Sequence, residues 1–237
     1  MNTITATKII KEEIKLNVGT KVIYTVITGK KDILNENINS EGAKLVCFTD
    51  KPMESKNWEI RILPDLFKDV RRNSRIAKML PHIFLPDAEY SLYIDGNVGL
   101  KIPLQELIDD WLKETDIACF HHMTRDCYYD EAKECNRLGL DDKETIIQQL
   151  IRYYPFPKHK GLYQGGVILR RHTKEVEKFN EAWFAEYCCG SKRDQISFPI
   201  AIMRTGLKIN ANIGHAYYDK RFTFIHHAIL SEWAGKI

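Results

Sequence analysis

The chain of 237 residues is long enough to bury a core, and its composition, 44% hydrophobic and 28% charged, is typical of one globular domain. The formal net charge of +3 is too small to indicate a nucleic-acid or anionic-membrane partner. No run of about 18 apolar residues predicts a membrane span, and residues 1–20 lack the apolar core of a signal peptide. We therefore expect a single cytoplasmic domain over residues 1–237, with residues 1–20 as an N-terminal extension and residues 222–237 as a C-terminal segment.

The cysteines do not follow a metal-binding pattern. They lack paired ligand spacing and several lie in apolar segments, at positions 47, 119, 127, 135, 188 and 189. We interpret them as reduced thiols, as expected in a cytosolic protein.

Three apolar segments near the start of the chain predict buried β-strands. The first, residues 21–29, stops at a glycine, and the second, residues 44–50, ends in the carboxylate of Asp50. Residues 58–63 alternate apolar and polar side chains as a third strand, and residues 30–40 predict a loop or short helix. Strands separated by such connections predict a doubly wound α/β sheet.

Residues 71–84 are predicted as a basic segment of helical spacing that Pro81 punctuates. Arg71, Arg75 and Lys78 fall on one of its faces at helical spacing. Two interpretations stay open. The face is directed at a diphosphate, for which arginine offers a planar fork and lysine a point charge, or it is an ordinary solvated surface.

The most informative stretch, residues 90–100, begins with a predicted strand that ends on Asp95, Gly96 and Asn97. The apolar, aromatic and β-branched run before Asp95 predicts a strand covered on both faces. Ligands of open α/β sheets bind beyond the carboxyl ends of the strands. Asp95 and Asn97 offer the hard oxygen ligands that Mg²⁺ or Mn²⁺ prefers. An ordinary turn that closes a strand is the alternative.

The middle of the chain predicts a helix over residues 103–114, a strand over residues 116–120 and a helix over residues 143–154. His121 and His122 directly follow the strand. Adjacent side chains of a strand point to opposite faces, so the pair predicts one pocket residue rather than a two-histidine metal site.

Residues 161–171 combine three glycines and Gln164 with a following strand. Gly165 and Gly166 let the backbone approach a flat polar ligand such as a sugar, or they serve tight packing alone. The next segment, residues 173–188, predicts an amphipathic helix whose aromatic residues belong to the core.

A dense polar cluster of Arg193, Asp194 and Gln195 precedes an apolar helix. Asp194 either caps this helix or hydrogen-bonds substrate hydroxyls and acts as a general base. A capping role for Ser191 is also consistent with the pattern.

The end of the chain predicts a short edge segment over residues 209–213, followed by His215, His226 and His227. In one interpretation a histidine near the end of the chain completes a metal site, and in the other it is a structural residue. The apolar segment 222–237 either covers the active site or contacts a partner.

Six patches occur in order along the chain: Thr28-Gly29, Cys47-Phe48-Thr49-Asp50, Arg75-x-x-Lys78-x-x-Pro81-His82, Tyr93-Ile94-Asp95-Gly96-Asn97, His121-x-x-x-Arg125-Asp126-Cys127-x-Tyr129-x-Glu131 and Arg193-Asp194-Gln195-x-Ser197. Together they resemble a glycosyltransferase-type family formerly described as a domain of unknown function. The family is found in bacteria and, as mucilage-related proteins, in plants. The resemblance covers residues 22–225.

The resemblance implies a GT-A fold, a single Rossmann-like α/β/α sandwich with a mostly parallel central sheet. It implies that a nucleotide-sugar donor is bound by Thr28, Asp50, Arg75, Lys78, Asp95, Gln164, Gly165 and Gly166. Asp95 and Asn97 stand where GT-A enzymes carry Asp-x-Asp, which binds the diphosphate through Mn²⁺ or Mg²⁺, and His226 is the expected third ligand. Asn97 is a neutral and weaker ligand than aspartate, so Arg75 and Lys78 are alternatives for neutralising the diphosphate.

The resemblance also implies an acceptor side of the pocket. Its expected residues are His121, Arg125, Arg193 and Gln195. Asp194 is the favoured catalytic carboxylate, and Glu131 is a reserve base.

We therefore expect a hexosyl- or pentosyltransferase that moves a sugar from a nucleotide donor, a UDP-sugar by expectation, to a glycan or lipid-linked acceptor in surface polysaccharide synthesis. A sugar nucleotidyltransferase is the first alternative, since it uses the same sheet and metal but favours a nucleoside triphosphate. A non-catalytic nucleotide-sugar-binding module is the second, because the second aspartate of Asp-x-Asp is replaced.

Overall fold

The computed structural model describes residues 19–29 and 33–225. Its strands are β1 (Thr20–Ile27), β2 (Lys44–Thr49), β3 (Glu59–Ile62), β4 (Ala88–Ile94), β5 (Val98–Leu100), β6 (Ile117–His121), β7 (Tyr163–Arg171) and β8 (Phe222–Phe224). Its helices are α1 (Val70–Met79), α2 (Pro81–Phe84), α3 (Leu104–Trp111), α4 (Tyr128–Arg137), α5 (Lys143–Tyr153), α6 (Lys174–Cys188) and α7 (Asp194–Thr205), with a 3₁₀ turn at Ala216–Tyr218.

Six of these strands form a central sheet in the order β3-β2-β1-β4-β7-β6. The strands β3, β2, β1 and β4 pair in parallel, whereas β7 is antiparallel to both of its neighbours. The outer strand β6 therefore runs in the direction of β4. The strands β5 and β8 form a separate antiparallel ribbon. The predicted α/β sheet with mostly parallel strands is confirmed.

Both faces of the central sheet are covered, which explains why its strands are apolar on both sides. Along β1, Tyr24 packs in the core formed with α1, α6 and α7, whereas the adjacent Ile23 packs in the core formed with α3. A third core joins α4 and α5 to α7. Helices on both faces of the sheet make the Rossmann-like sandwich.

Two predicted boundaries are confirmed, and one helix was not predicted. The strand predicted to end at Asp95 is β4, and the residues after Asn97 form β5 in a separate sheet. The basic segment 71–84 is two helices, because Pro81 has no N–H with which to continue α1 and instead begins α2. The helix α4 is present where the sequence patterns had not predicted one.

Gly165 and Gly166 lie within β7 rather than before it. The pairing of β7 with β6 shifts in register between Cys119 and Phe120, so that Phe120 lies opposite Gln164. The strand is thus irregular at its two glycines, next to the end of β4.

The described residues include all six cysteines, and none of them forms a disulfide. Cys188 and Cys189 are exposed, and the other four are buried. Within residues 19–29 and 33–225, every helix is too short or too polar to cross a bilayer.

Candidate active site

A cleft of about 370 Å³ lies at the edge of the sheet where β4 ends. Because β7 runs antiparallel to β4, the first residues of β7 reach the same edge. Helix α1 and the start of α7 complete the charged part of its lining. Ten of the predicted site residues line this cleft: Arg75, Lys78, Asp95, Asn97, Gln164, Gly165, Gly166, Arg193, Asp194 and Gln195.

Asp95 is held at the end of β4 by its neighbours. Its backbone N–H donates to the carbonyl oxygen of Gly166 at 2.9 Å, and the Tyr93 hydroxyl donates to its Oδ1 at 2.7 Å. Burial, and then the charge of Asp95, raises the pKa of Tyr93 well above its usual range, so this hydroxyl remains a donor. A Cβ atom at Gly166 would lie 3.0 Å from Asp95 Oδ2, so glycine is what allows this close approach.

Lys78, Arg75 and Asp194 form a buried charge cluster in the cleft. Lys78 Nζ donates to Asp194 Oδ2 at 2.5 Å, and Arg75 Nε lies 3.2 Å from the same oxygen. Only 2% of the Lys78 surface and 6% of the Asp194 surface is exposed. Lys78 Nζ also lies 4.9 Å from the centre of the Tyr93 ring, which links the cluster to Asp95.

This environment decides what Asp194 can do. Burial alone would raise the pKa of its carboxyl group, but the positive charges of Arg75 and Lys78 outweigh burial and hold that pKa well below its usual range. The carboxylate is therefore ionised at neutral pH and is a weak proton acceptor. Neither Asp194 nor Ser191 caps α7 as predicted, because Arg193 is its N-cap residue and no side chain makes a capping hydrogen bond.

Two guanidinium groups of the cleft have unused donors. The Nε atoms of Arg75 and Arg193 are buried and make no hydrogen bond to any described residue, since the Arg75–Asp194 contact is too poorly aligned to be one. An unsatisfied buried donor costs about 1–3 kcal/mol. Planar guanidinium donors match the geometry of phosphate oxygens, so these atoms suit an anionic ligand.

Asp95 and Asn97 fit a hard divalent cation. Both line the cleft and are half-buried. The Asn97 side-chain nitrogen donates to the Ile225 carbonyl at 3.3 Å, so the amide oxygen is the atom left for a ligand role. His226, the predicted third ligand, lies outside the described residues. Elsewhere among those residues, Cys127, Asp130 and His159 also bring ligand atoms within 4.8 Å of one another, but they do not line the cleft.

Two predicted donor residues reach the same edge of the sheet without lining the cleft. Thr28 follows β1, and its hydroxyl donates to the Val70 carbonyl at 2.6 Å. Asp50 follows β2, and its carboxylate accepts the Gly29 N–H at 2.9 Å. Both side chains tie loops together at the ends of neighbouring strands.

The predicted residues His121, Arg125 and Glu131 also lie outside the cleft lining. Glu131 is 3% exposed and accepts two contacts from Arg125, at 2.8 Å from Nε and 2.7 Å from Nη2. Its carboxylate is thus committed to a buried ion pair. His121 Nε2 lies 3.1 Å from Asn212 Oδ1, at the exposed end of β6.

Tyr217 and Phe224 line the cleft together with Ala216. Phe224 belongs to the segment 222–237, for which the sequence left open a place over the active site, whereas Tyr217 was not predicted. The alternation of Phe222 and Phe224 is typical of a short strand. Their place in the site depends on the pairing of β8 with β5, which is a long-range contact.

An open α/β sheet with a charged cleft beyond the carboxyl end of a central strand has the arrangement in which doubly wound α/β proteins bind their ligands. The chain belongs to the TOD1/MUCI70 glycosyltransferase-like domain family, whose model matches residues 49–226. The chain is also similar to a protein of Arabidopsis thaliana named probable hexosyltransferase MUCI70, with 29% identity over an alignment of 185 residues that covers 71% of this chain. That match covers 31% of the plant protein.

Proposed function

We propose that the protein transfers a hexosyl group from a nucleotide sugar, with a UDP-sugar as the expected donor, to a glycan or lipid-linked acceptor. The observation that carries this proposal is the convergence of Arg75, Lys78 and Arg193 with Asp95 in one cleft at the sheet edge. The name of the plant relative, a probable hexosyltransferase, supports a hexosyl group. A role in surface polysaccharide synthesis belongs to the same proposal.

The charges of the cleft suit the diphosphate of a nucleotide sugar. The lining carries three cations, Arg75, Lys78 and Arg193, and two carboxylates, Asp95 and Asp194. The cations offset part of the negative charge of a bound diphosphate. As the glycosidic bond breaks, further negative charge develops on the departing nucleoside diphosphate, and fixed cations in a half-buried cleft stabilise it.

A divalent cation would be held by Asp95 Oδ2 and by the amide oxygen of Asn97. We propose His226 as its third ligand, because the preceding residue, Ile225, donates its N–H to the Asn97 carbonyl at 2.9 Å. Mn²⁺ or Mg²⁺ bound there supplies Lewis acidity toward the leaving diphosphate. Tyr93 orients Asp95 by donating to its other oxygen, Oδ1.

Within this proposal Asp194 is a positioning residue. Its carboxylate holds the Lys78 ammonium and the Arg75 guanidinium toward the cleft, and its low pKa argues against proton removal from the acceptor. Gln164 and Gln195 border the same space and offer amide groups for sugar hydroxyls.

The test is turnover and binding of UDP-hexoses with and without Mn²⁺. Asp95→Asn should abolish the release of UDP while leaving the thermal midpoint of the free protein unchanged. Asp87→Asn makes the same chemical change at an exposed residue outside the cleft and should leave UDP release unchanged. Equal UDP release in Asp95→Asn and the unaltered protein would overturn the proposal.

The same panel separates the alternatives. A rise of the thermal midpoint with nucleoside triphosphates alone would indicate a nucleotidyltransferase. Binding of a nucleotide sugar without turnover, in every metal tested, would indicate a binding module.

A further inference from the structure

The cleft has a second wall, of different chemistry from its charged residues. Tyr217 and Phe224 line it with stacked rings, whose centres are 4.9 Å apart and whose planes differ by 17°. Tyr217 nonetheless leaves 63% of its surface exposed. We refer to Tyr217 and Phe224 as the aromatic wall. A large aromatic side chain that stays exposed inside a cleft is available to pack against a bound ligand.

The backbone fixes the aromatic wall relative to Asp95. Phe224 belongs to β8, and it lies opposite Val98 in the pairing with β5. The N–H of Val98 donates to the Asp95 carbonyl at 2.9 Å, so one short turn joins the wall to the carboxylate. The pairing of β8 with β5 thus places Phe224 beside the cleft before a ligand binds, which lowers the entropy cost of binding.

Polar groups accompany the exposed ring. The backbone N–H of Tyr217 donates to His215 Nδ1 at 3.2 Å, and His215 Nε2 lies 3.1 Å from the side-chain amide of Gln164. Gln164 stands at the start of β7 and lines the cleft. An aromatic face beside an amide and an imidazole suits a ligand that has one apolar face and hydroxyls around its rim.

The sheet order separates the wall from two of the predicted donor-binding residues. Thr28 and Asp50 follow β1 and β2, on one side of β4. The chain segment leading to Tyr217 pairs with β6 through Phe120 and Asn212, on the other side of β4. A donor whose nucleoside lies near β1 and β2 leaves the wall to the second substrate.

We propose that the aromatic wall binds a pyranose ring of the saccharide acceptor. The C–H face of the pyranose packs on the Tyr217 ring, and its hydroxyls meet the amide of Gln164. This inference rests on the proposed glycosyltransferase function and adds the chemical class of its acceptor and the residues that bind it.

Saturation-transfer difference NMR tests the inference with four probes: methyl β-glucopyranoside, methyl β-galactopyranoside, cellobiose and lactose. With the unaltered protein and with Tyr217→Phe, we expect saturation to reach the ring C–H protons of the saccharide. In Tyr217→Ala we expect the saccharide to bind about tenfold more weakly. Tyr154→Ala is the matched control, because Tyr154 is 82% exposed and lies outside the cleft. Equal signals in Tyr217→Ala and the unaltered protein, or none with any probe, would overturn the inference.

The thermal shift with UDP, measured on the same variants, distinguishes the two proposals. An unchanged UDP shift in Tyr217→Ala supports a wall reserved for the acceptor. A reduced UDP shift would assign the wall to the nucleobase, which overturns this inference but keeps the transferase. If UDP and UDP-hexoses shift nothing in the unaltered protein, the proposed function fails, whatever the saccharide signal shows.

Discussion

Lys78 and Asp194 are 116 residues apart in the chain, yet their side chains share a 2.5 Å hydrogen bond inside the cleft. Lys78 belongs to α1, and Asp194 is the first residue of α7. The contact joins two helices that cover the same face of the sheet and also sets the charge of the candidate site. Its removal should affect both the stability of the fold and the binding of ligand.

We expect Lys78→Met to lower the free energy of unfolding by about 3 kcal/mol, because it leaves the buried Asp194 carboxylate with Arg75 as its remaining cation. Asp194→Leu alone leaves both Lys78 and Arg75 without a counter-charge, so the double variant Lys78→Met/Asp194→Leu should lose less free energy of unfolding than the sum of the two single variants. Urea unfolding of the single and double variants measures the coupling.

The matched control for this pair is Arg61→Met. Arg61 pairs with Glu59 at 2.8 Å, but both side chains are more than a third exposed. Its loss should cost less than about 1 kcal/mol. Additive effects of Lys78→Met and Asp194→Leu would contradict a coupled buried pair.

The lowered pKa of Asp194 predicts a stability that depends on acid pH. The folded state holds this carboxyl group below its unfolded value of about 3.9, so the stabilisation is complete above that value and is lost as pH falls through the folded-state pKa. The free energy of unfolding should therefore decrease below about pH 4. In Asp194→Asn this acid-dependent decrease of the unfolding free energy should disappear. In Asp87→Asn the unfolding free energy should depend on pH as it does in the unaltered protein.

Gly166→Ala should disturb the candidate site through Asp95. The new Cβ would lie 3.0 Å from Asp95 Oδ2 and would force the carboxylate to move. We expect UDP-hexose turnover to fall about tenfold or more, by analogy with small misplacements of positioned groups. In an Asp95→Asn background the same substitution should cause little further loss. A full additional loss there would show that Gly166 acts through another contact.

Glu131→Gln should lower the free energy of unfolding without changing turnover. Glu131 lies outside the cleft and its two contacts to Arg125 are partly buried, so we expect a loss of about 1–3 kcal/mol in unfolding free energy. Turnover per folded molecule should be unchanged. A collapse of turnover at unchanged stability would restore the reserve-base role predicted from the sequence.

The parallel part of the sheet was predictable because burial on both faces demands continuous apolar strands. The segments containing Ile23, Val46 and Leu92 carry such runs, and all three residues are fully buried. The direction of β7 was not predictable from its own residues. An apolar run has the same pattern in either direction, and only its pairing with β4 and β6 sets the direction.

Helix α4 was missed although a signal exists. Tyr128, Ala132 and Cys135 are fully buried and follow helical spacing, but their polar neighbours hide the pattern. Lys78 shows the opposite problem. Its charge placed it with Arg71 and Arg75 on a polar helix face, whereas the structure buries it against a carboxylate far along the chain. Local periodicity contains no information about a partner at that distance.

The ribbon of β5 and β8 has only three residues in each strand, while the strands β1 and β4 are buried on both faces. Local opening of the ribbon breaks fewer backbone hydrogen bonds than the opening of β1, so we expect its amide hydrogens to exchange at a lower free energy of opening than those of β1. A ligand that covers Phe224 must suppress this opening. Slower amide exchange over residues 222–224, with no change in β1, therefore indicates that a ligand occupies the cleft.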